Sequence, residues 1–279
     1  MYVDRHTDPE AFLAAARPAL ARSKTAAAGF ASWVGALKAG TLRDGEVYLA
    51  TYAHERSYGA AMRRADGPLI FENADPEAAA AFALDLVDDC PRLSGIVGVL
   101  PACEAFARVW KERTGRVHAL RFHLRHFMLT EVADVPTATG EARIARGDDC
   151  DWLFEAVYDF LVEAGVPDNP DRVIAAVPRR VASGHYWIWD DAGAAAFAAW
   201  TPAGDDAARI APVYTAPDAR KHGYATALVA TLSRALLRDG RQRLFLLTDV
   251  ANPTSNAIYS RIGFKAQSDI YHFDLVDRG

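Results

Sequence analysis

The stretch Val213-Tyr214-Thr215-Ala216-Pro217-Asp218-Ala219-Arg220-Lys221-His222-Gly223-Tyr224-Ala225 constrains this chain more than any other. An apolar run, Arg209 to Tyr214, leads into it and reads as a strand. Behind it Ala227, Leu228, Leu232, Ala235 and Leu236 recur at helical spacing, and Asp239-Gly240 supplies a stop. A strand that turns through small residues into a helix start leaves several backbone N–H groups without acceptors. Together with the positive end of the helix dipole, those donors suit a phosphate. Gly223 allows close approach of a ligand, Ala225 adds little bulk, and Arg220 places a cation at the mouth. Alone, Arg-x-x-Gly-x-Ala is a weak pattern that ordinary strand–helix connections also match.

A second segment raises its weight. The apolar run Arg243 to Thr248 ends in Asp249 and is followed by Asn252-Pro253-Thr254-Ser255-Asn256-Ala257-Ile258-Tyr259-Ser260-Arg261-Ile262-Gly263-Phe264. The pair of segments resembles the GCN5-related N-acetyltransferase (GNAT) superfamily, over residues 141–275 and most specifically over 209–264. The resemblance implies that the Arg220 to Ala225 loop holds the pyrophosphate of acetyl-CoA, through N–H groups from Lys221, His222, Gly223, Tyr224, Ala225 and Thr226. It implies that Val213, Tyr214 and Thr215 offer a strand edge to the pantetheine arm. Asn252, Asn256 and Tyr259, with Gly263 and Phe264, form the second half of the cofactor site. Arg261 and Lys265 are then surface cations or contacts to the adenosine 3′-phosphate.

The chemistry so implied is acetyl transfer from acetyl-CoA to an amine by direct attack in a ternary complex. Tyr259 is expected to serve as general acid toward the leaving thiolate, although a core tyrosine on an amphipathic helix is the plainer use. Relatives often carry a carboxylate base on the strand before the loop. Residues 209–215 carry none, so Asp249 is the nearest candidate. Glu155, Asp159 and Glu163 share one helical face and could orient a cationic amine or simply be solvated; a water relay or Tyr214 would also serve. The oxyanion donor is expected to be a backbone N–H near Val213 or Tyr214. The missing strand carboxylate motivates a second reading, a non-catalytic acyl-CoA-binding sensor. Polyamines, aminoglycoside-type amines and a protein N-terminus stay open as acceptors. So does an amino acid with a longer acyl donor, because the order of segments also looks like the subset related to glycine N-acyltransferases.

The rest of the chain supplies a frame. Its 279 residues suit one large or two small domains. No apolar run approaches the ~20 residues of a membrane span. The N-terminus lacks a signal-peptide core, and a cytoplasmic location is expected. Cys90, Cys103 and Cys150 lack metal-ligand spacing and read as free thiols, so no metal is expected. A net charge of −5 speaks against a general nucleic-acid binder. His123 and His126, three apart on a strand, point to opposite faces and read as one solvated and one packed histidine.

Asp134-Val135-Pro136-Thr137-Ala138-Thr139-Gly140 has linker chemistry. On either side the same plan reads out: strand, two helices, strands, helix, strand, helix, strand. The expected fold is therefore α/β (α+β), two tandem GNAT-like domains, each a mixed, largely antiparallel sheet flanked by helices. Residues 1–133 form a degenerate copy, 134–140 the linker and 141–279 the acetyltransferase domain. In the first copy, Glu72-Asn73-Ala74-Asp75 stands where the phosphate loop would be, with no glycine and two acids. That copy is expected to line the substrate cleft, to support a homodimer, or to act as scaffold.

Overall fold

The computed structural model describes residues 2–38, 47–64, 67–71, 73–165 and 170–278. The turn expected at Gly40 to Gly45, Glu72 of the acidic loop, and the helix boundary at Val166-Pro167 and Asn169 lie outside the described residues.

In chain order the first elements are β1 (Val3–Arg5), α1 (Pro9–Leu20), α2 (Lys24–Lys38), β2 (Tyr48–His54), β3 (Ser57–Arg63), β4 (Leu69–Phe71), α3 (Pro76–Leu86), β5 (Gly95–Gly98), α4 (Leu100–Thr114) and β6 (Val117–Leu129). They continue with β7 (Glu141–Ile144), α5 (Cys150–Glu163), α6 (Pro170–Ala175), α7 (Val177–Ala182), β8 (Tyr186–Asp190), β9 (Ala194–Pro202), β10 (Ala207–Thr215), α8 (Tyr224–Arg238), β11 (Arg243–Asp249), α9 (Pro253–Ile262) and β12 (Lys265–Val276). Local chemistry sets many of these bounds. Asp8 caps α1 by accepting from the N–H groups of Glu10 and Ala11, with Pro9 in the first turn. Gly115 closes α4 in the left-handed conformation, at φ 77°.

The chain forms two compact units. One comprises Met1–His126, Thr248–Ala251 and Gln267–Gly279, and the other Phe127–Leu247 and Asn252–Ala266. The units are interleaved along the chain, whereas the sequence reading cuts it at 134–140. From Gln267 onward β12 joins the first unit, because Tyr271 to Asp274 pair antiparallel with Gly98 to Gly95 and Phe273 and Leu275 are buried in that unit's core. Residues 134–140 belong to the second unit, where Val135 and Ala138 pack on the core.

The first unit orders its sheet β1-β2-β3-β4-β5-β12-β6. β4 and β5 pair in parallel, and β1, β2, β3 and β4 pair antiparallel in turn. One face of this sheet buries α3 and α4 through Phe71, Phe82, Phe106 and Trp110, with the rings of Phe106 stacked on both Phe71 and Trp110. Phe12, Phe30 and Leu49 belong to a separate cluster with α1 and α2. The expected alternation in β6 holds: His123 and Arg125 project to one side and share Asp269, while His126 is buried. The loop before α3 is closed by its own side chains. The Asp75 carboxylate takes both Arg22 guanidinium nitrogens and the N–H of Tyr58, and Arg22 holds it below the usual carboxylate range.

The second unit repeats the pattern, with order β11-β10-β9-β8-β7, antiparallel pairing from β7 to β10, and parallel pairing of β10 with β11. α8 and α9 cover one core through Leu228, Leu232 and Ile262. α5 and α7 cover another through Leu153, Val157 and Val177. Each unit is thus a mixed, largely antiparallel sheet flanked by helices.

Candidate functional site

The loop between β10 and α8 is shaped by how β10 is paired. Its parallel register with β11 covers only Ala207 to Arg209 against Arg243 to Phe245. Beyond Arg209, β10 continues to Thr215 in register with β9 alone, Val213, Tyr214 and Thr215 standing opposite Ala198, Phe197 and Ala196. The register shifts between Ile210 and Val213, a bulge that contains Pro212, as its missing N–H requires. The two parallel strands therefore part after Arg209, and the last six residues of β10 run to the loop without β11.

The loop then passes through a single 3-10 turn at Pro217–Ala219 to Gly223, which stands at φ 83° at the start of α8. No side chain caps this helix. Among the described residues, the N–H groups of Gly223, Tyr224, Ala225 and Thr226 make no hydrogen bond. A Cβ built on Gly223 would meet no atom within 4 Å, so the space in front of the helix is open. The contrast with the first unit is physical: there a carboxylate stands at the start of α3, and here bare donors face open space.

The side chains around the loop do more than the sequence indicated. Arg220 makes a bidentate pair with Glu163 at the end of α5, at 2.7 and 2.9 Å. Its Nε donates to the Thr215 carbonyl, and its guanidinium lies 5.7 Å from the centre of the Tyr214 ring. Tyr214 is buried, and its hydroxyl donates to Asp159 at 3.3 Å. Burial, and next the Asp159 charge, push that phenol above its ordinary value. The Tyr214 hydroxyl is thus directed at Asp159, and its backbone lies on the edge of β10. Two acids of the α5 row thus have specific partners, while Glu155 is exposed. Lys221 and His222 are exposed, and Tyr224 is buried, stacked on Trp189 and donating to Asp191. Asp191 also accepts from Thr139, whose carbonyl takes the Trp189 indole N–H. The linker is thereby fastened beside the start of α8.

The second motif carries its own structural logic. Asn252 caps α9: its Oδ1 accepts the N–H of Ser255, and its carbonyl takes the Asn256 side-chain amide at 2.7 Å. Gly263 ends the helix at φ 108°, with the N–H of Phe264 bonded to the Tyr259 carbonyl. Phe264 then meets the Tyr259 ring edge-on at 5.9 Å. Asn252, Gly263 and Phe264 so fix the helix that presents Tyr259. Tyr259 is 9% exposed, and burial pushes its phenol up to about 12. Among the described residues its hydroxyl makes no hydrogen bond.

That shift corrects the expected proton transfer. A phenol near ~10 is already a weaker acid than a thiol near ~8.5, so handing a full proton to a free thiolate is uphill. Burial makes it more so. Tyr259 suits a hydrogen-bond donor that stays protonated and stabilises charge growing on sulfur. Asp249 ends β11. It falls in the first unit, where its Oδ1 accepts the N–H of Ala251 and the next residue, Val250, donates to the His123 carbonyl.

The Arg220–Glu163 pair, 57 residues apart in sequence, was not readable from spacing. Both partners are about half exposed, so the pair contributes at most ~1 kcal/mol. A diphosphate brought to Arg220 would compete with that carboxylate. Glu163→Gln is expected to tighten binding of a diphosphate-bearing ligand at low salt, by up to roughly fivefold, with the gain fading at high salt. Calorimetric titration at two ionic strengths checks this. Weaker binding by the variant would mean that Glu163 holds Arg220 in place for the ligand.

Comparison with known proteins agrees with this geometry. The model of the acetyltransferase (GNAT) family matches residues 152–264. No curated protein matches the sequence. Among solved structures, the fold is similar to a GCN5-related N-acetyltransferase from Sphaerobacter thermophilus, with a TM-score of 0.65 at 13% identity, covering 99% of this chain and 96% of that one. A Drosophila protein gives a TM-score of 0.65 at 15% identity over 100% and 99% of the two chains. A tandem GNAT protein from the clavulanic acid biosynthesis pathway gives 0.57 at 13% identity over 99% and 98%. With an uncapped glycine-started helix after a parted pair of parallel strands, and the same strand plan in both units, residues 152–264 match the acetyltransferase (GNAT) family model and the chain as a whole has a fold similar to tandem GNAT structures.

Proposed function

We propose that the second unit binds acetyl-CoA and transfers its acetyl group to the amine of a small molecule or peptide. The observation that carries this reading is the row of bare N–H groups at Gly223, Tyr224, Ala225 and Thr226, on an uncapped helix facing open space. Those donors fit a pyrophosphate, and Lys221 and His222 add cationic or polar tips at the rim. The edge of β10 at Val213 to Thr215, left by β11, offers backbone groups to the amides of an extended arm. When bound, acetyl-CoA supplies the activated thioester. The chain's residues hold it, steady the charge at the carbonyl oxygen through a backbone N–H near Val213 or Tyr214, and donate from Tyr259 toward the sulfur.

Two carboxylates are candidates for accepting the proton of an ammonium acceptor: Asp249, and Asp159 through the Tyr214 hydroxyl. The first unit, with Asp75 committed to Arg22 at the start of α3, acts in this reading as a degenerate, non-catalytic copy. A sensor that binds acyl-CoA without turnover is the second reading, favoured by the absence of any carboxylate on β10.

A thermal-shift titration with acetyl-CoA, CoA and longer acyl-CoAs tests the proposal. At ~100 times the dissociation constant, a ligand stabilises by ~2.7 kcal/mol, which for a protein of this size moves the melting temperature by several degrees. Stabilisation by acetyl-CoA, followed by release of free thiol with an amine panel, supports the enzyme. Stabilisation with no thiol release under any amine supports the sensor. No shift with any acyl-CoA overturns both.

A further inference from the structure

Around Trp200, near the end of β9, the second unit gathers cations without a carboxylate. The Arg180 guanidinium lies over the Tyr186 ring, 4.9 Å from its centre. Its Nη2 reaches the Trp200 carbonyl only at 3.4 Å, and its Nε is closed off from solvent with no partner. The His185 ring meets Trp200 edge-on at 4.7 Å. The Arg241 guanidinium lies 5.7 Å from the Trp200 ring and donates to the backbone carbonyls of Gly204, Asp205 and Ala207. Of the nearby acids, Asp206 is paired with Arg243. Among the described residues, neither Arg180 nor Arg241 has an ion pair.

Such an arrangement is costly unless something completes it. A guanidinium stays charged, and enclosing it with only a ring face and one long hydrogen bond leaves its charge uncompensated. Burial, then the charges of Arg180 and Arg241, hold His185 below its ordinary pKa, the direction expected where positive charge is in excess. Burial likewise lowers the pKa of Arg180. The frame is rigid. The His185 N–H bonds to the Arg180 carbonyl and the Trp200 N–H to the His185 carbonyl, each at 2.9 Å. The Trp200 indole donates to the Gly184 carbonyl at 3.1 Å. Three side chains are thus held in place by the backbone rather than by each other.

We propose that Arg180, His185 and Arg241, arranged about Trp200, bind a small oxyanion, a carboxylate or phosphate group, at a site separate from the start of α8. Arginine's planar fork matches either group, and a protonatable histidine beside it adds a third donor. Trp200 stands opposite Ile210, five residues before Thr215 on β10, which is about 17 Å along the strand. The site is therefore remote from the proposed acetyl transfer and independent of it.

The test reads the His185 ring by NMR in the full-length protein, its signal assigned with His185→Gln. Inorganic phosphate and acetate are titrated in separate arms, against sodium chloride at equal ionic strength. The expected result is a saturable rise of the His185 pKa with one or both anions and not with chloride; which arm responds names the group. Arg180→Met keeps an unbranched stem over Tyr186 and is expected to fold and to lose the saturable response. Arg241→Gln, a change at a half-buried cation, is expected to weaken it. A wild-type His185 that responds to phosphate and acetate only as it does to chloride, or a response that survives Arg180→Met, overturns the proposal.

Discussion

Gly223→Glu is expected to remove acetyl-CoA-induced stabilisation while leaving the protein folded. Two effects add. Gly223 stands at φ 83°, where a side chain costs ~1–2 kcal/mol in backbone strain. Its Cβ would meet nothing within 4 Å, so no clash follows and the strain is the only folding cost. The new carboxylate then sits among the bare N–H groups at the start of α8 and takes the place of the ligand's charge. Loss of those donors and repulsion of a diphosphate should weaken binding by at least about a hundredfold, or ~2.7 kcal/mol. Isothermal calorimetry measures it directly. Gly223→Ala is the control: it carries the same strain and no charge, and should keep most of the affinity. Undiminished acetyl-CoA affinity in the Glu variant would sink the placement of the pyrophosphate at this helix.

Tyr259→Phe should have the second large effect, on rate alone. The ring's contact with Phe264 survives the change, so the helix and the bound cofactor are expected to be undisturbed. The hydroxyl is lost, and a positioned hydrogen-bond donor of this kind is worth ~10²–10³ in rate. Steady-state kinetics beside a binding titration separates the two: kcat falls while the acetyl-CoA affinity holds. The pH dependence adds an independent check. With its phenol pushed up to about 12, Tyr259 is protonated through the neutral and mildly alkaline range. The wild type should therefore show no loss of rate from this group as pH rises past ~10, the ordinary phenol value. The same shift has a stability consequence. A folded-state pKa above the unfolded one contributes stability that is full below ~10 and is lost as pH rises toward 12. That loss should be absent from Tyr259→Phe. A variant with wild-type rate would reduce Tyr259 to packing.

Much of this site was legible because it is local. Strand, small loop, left-handed glycine and amphipathic helix follow one another within residues 207–238, and each leaves a mark in the order of residues. Asn252 and Gly263 likewise act on their own helix, as cap and terminator. What was not legible is what distant side chains do to the loop. Arg220 reads as a cation free for phosphate, yet Glu163 reaches it from α5. Tyr224 reads as a loop residue, yet Asp191 from the β8–β9 turn takes its hydroxyl. Tyr259 reads as a proton donor of ordinary acidity, and only its enclosure by Phe264 and the surrounding core moves it up.

The sequence by itself determined the order of strands and helices, apart from a third helix between β7 and β8, and the glycine-led start of α8 at Gly223. These depend on periodicity, capping and turn chemistry, which act over a few residues. Only the tertiary structure decided where the last strand goes. The apolar residues of Lys265 to Val276 mark a strand with buried positions, and they are silent on which sheet buries them. β12 runs antiparallel to β5, with Phe273 and Leu275 in the core beside Phe106 and Trp110, because strand pairing is made by backbone groups that every residue shares. For the same reason the sequence could not assign Asp249 to the first unit, or bring Arg180, His185 and Arg241 to one residue, Trp200. Those juxtapositions are products of packing between elements far apart in the chain.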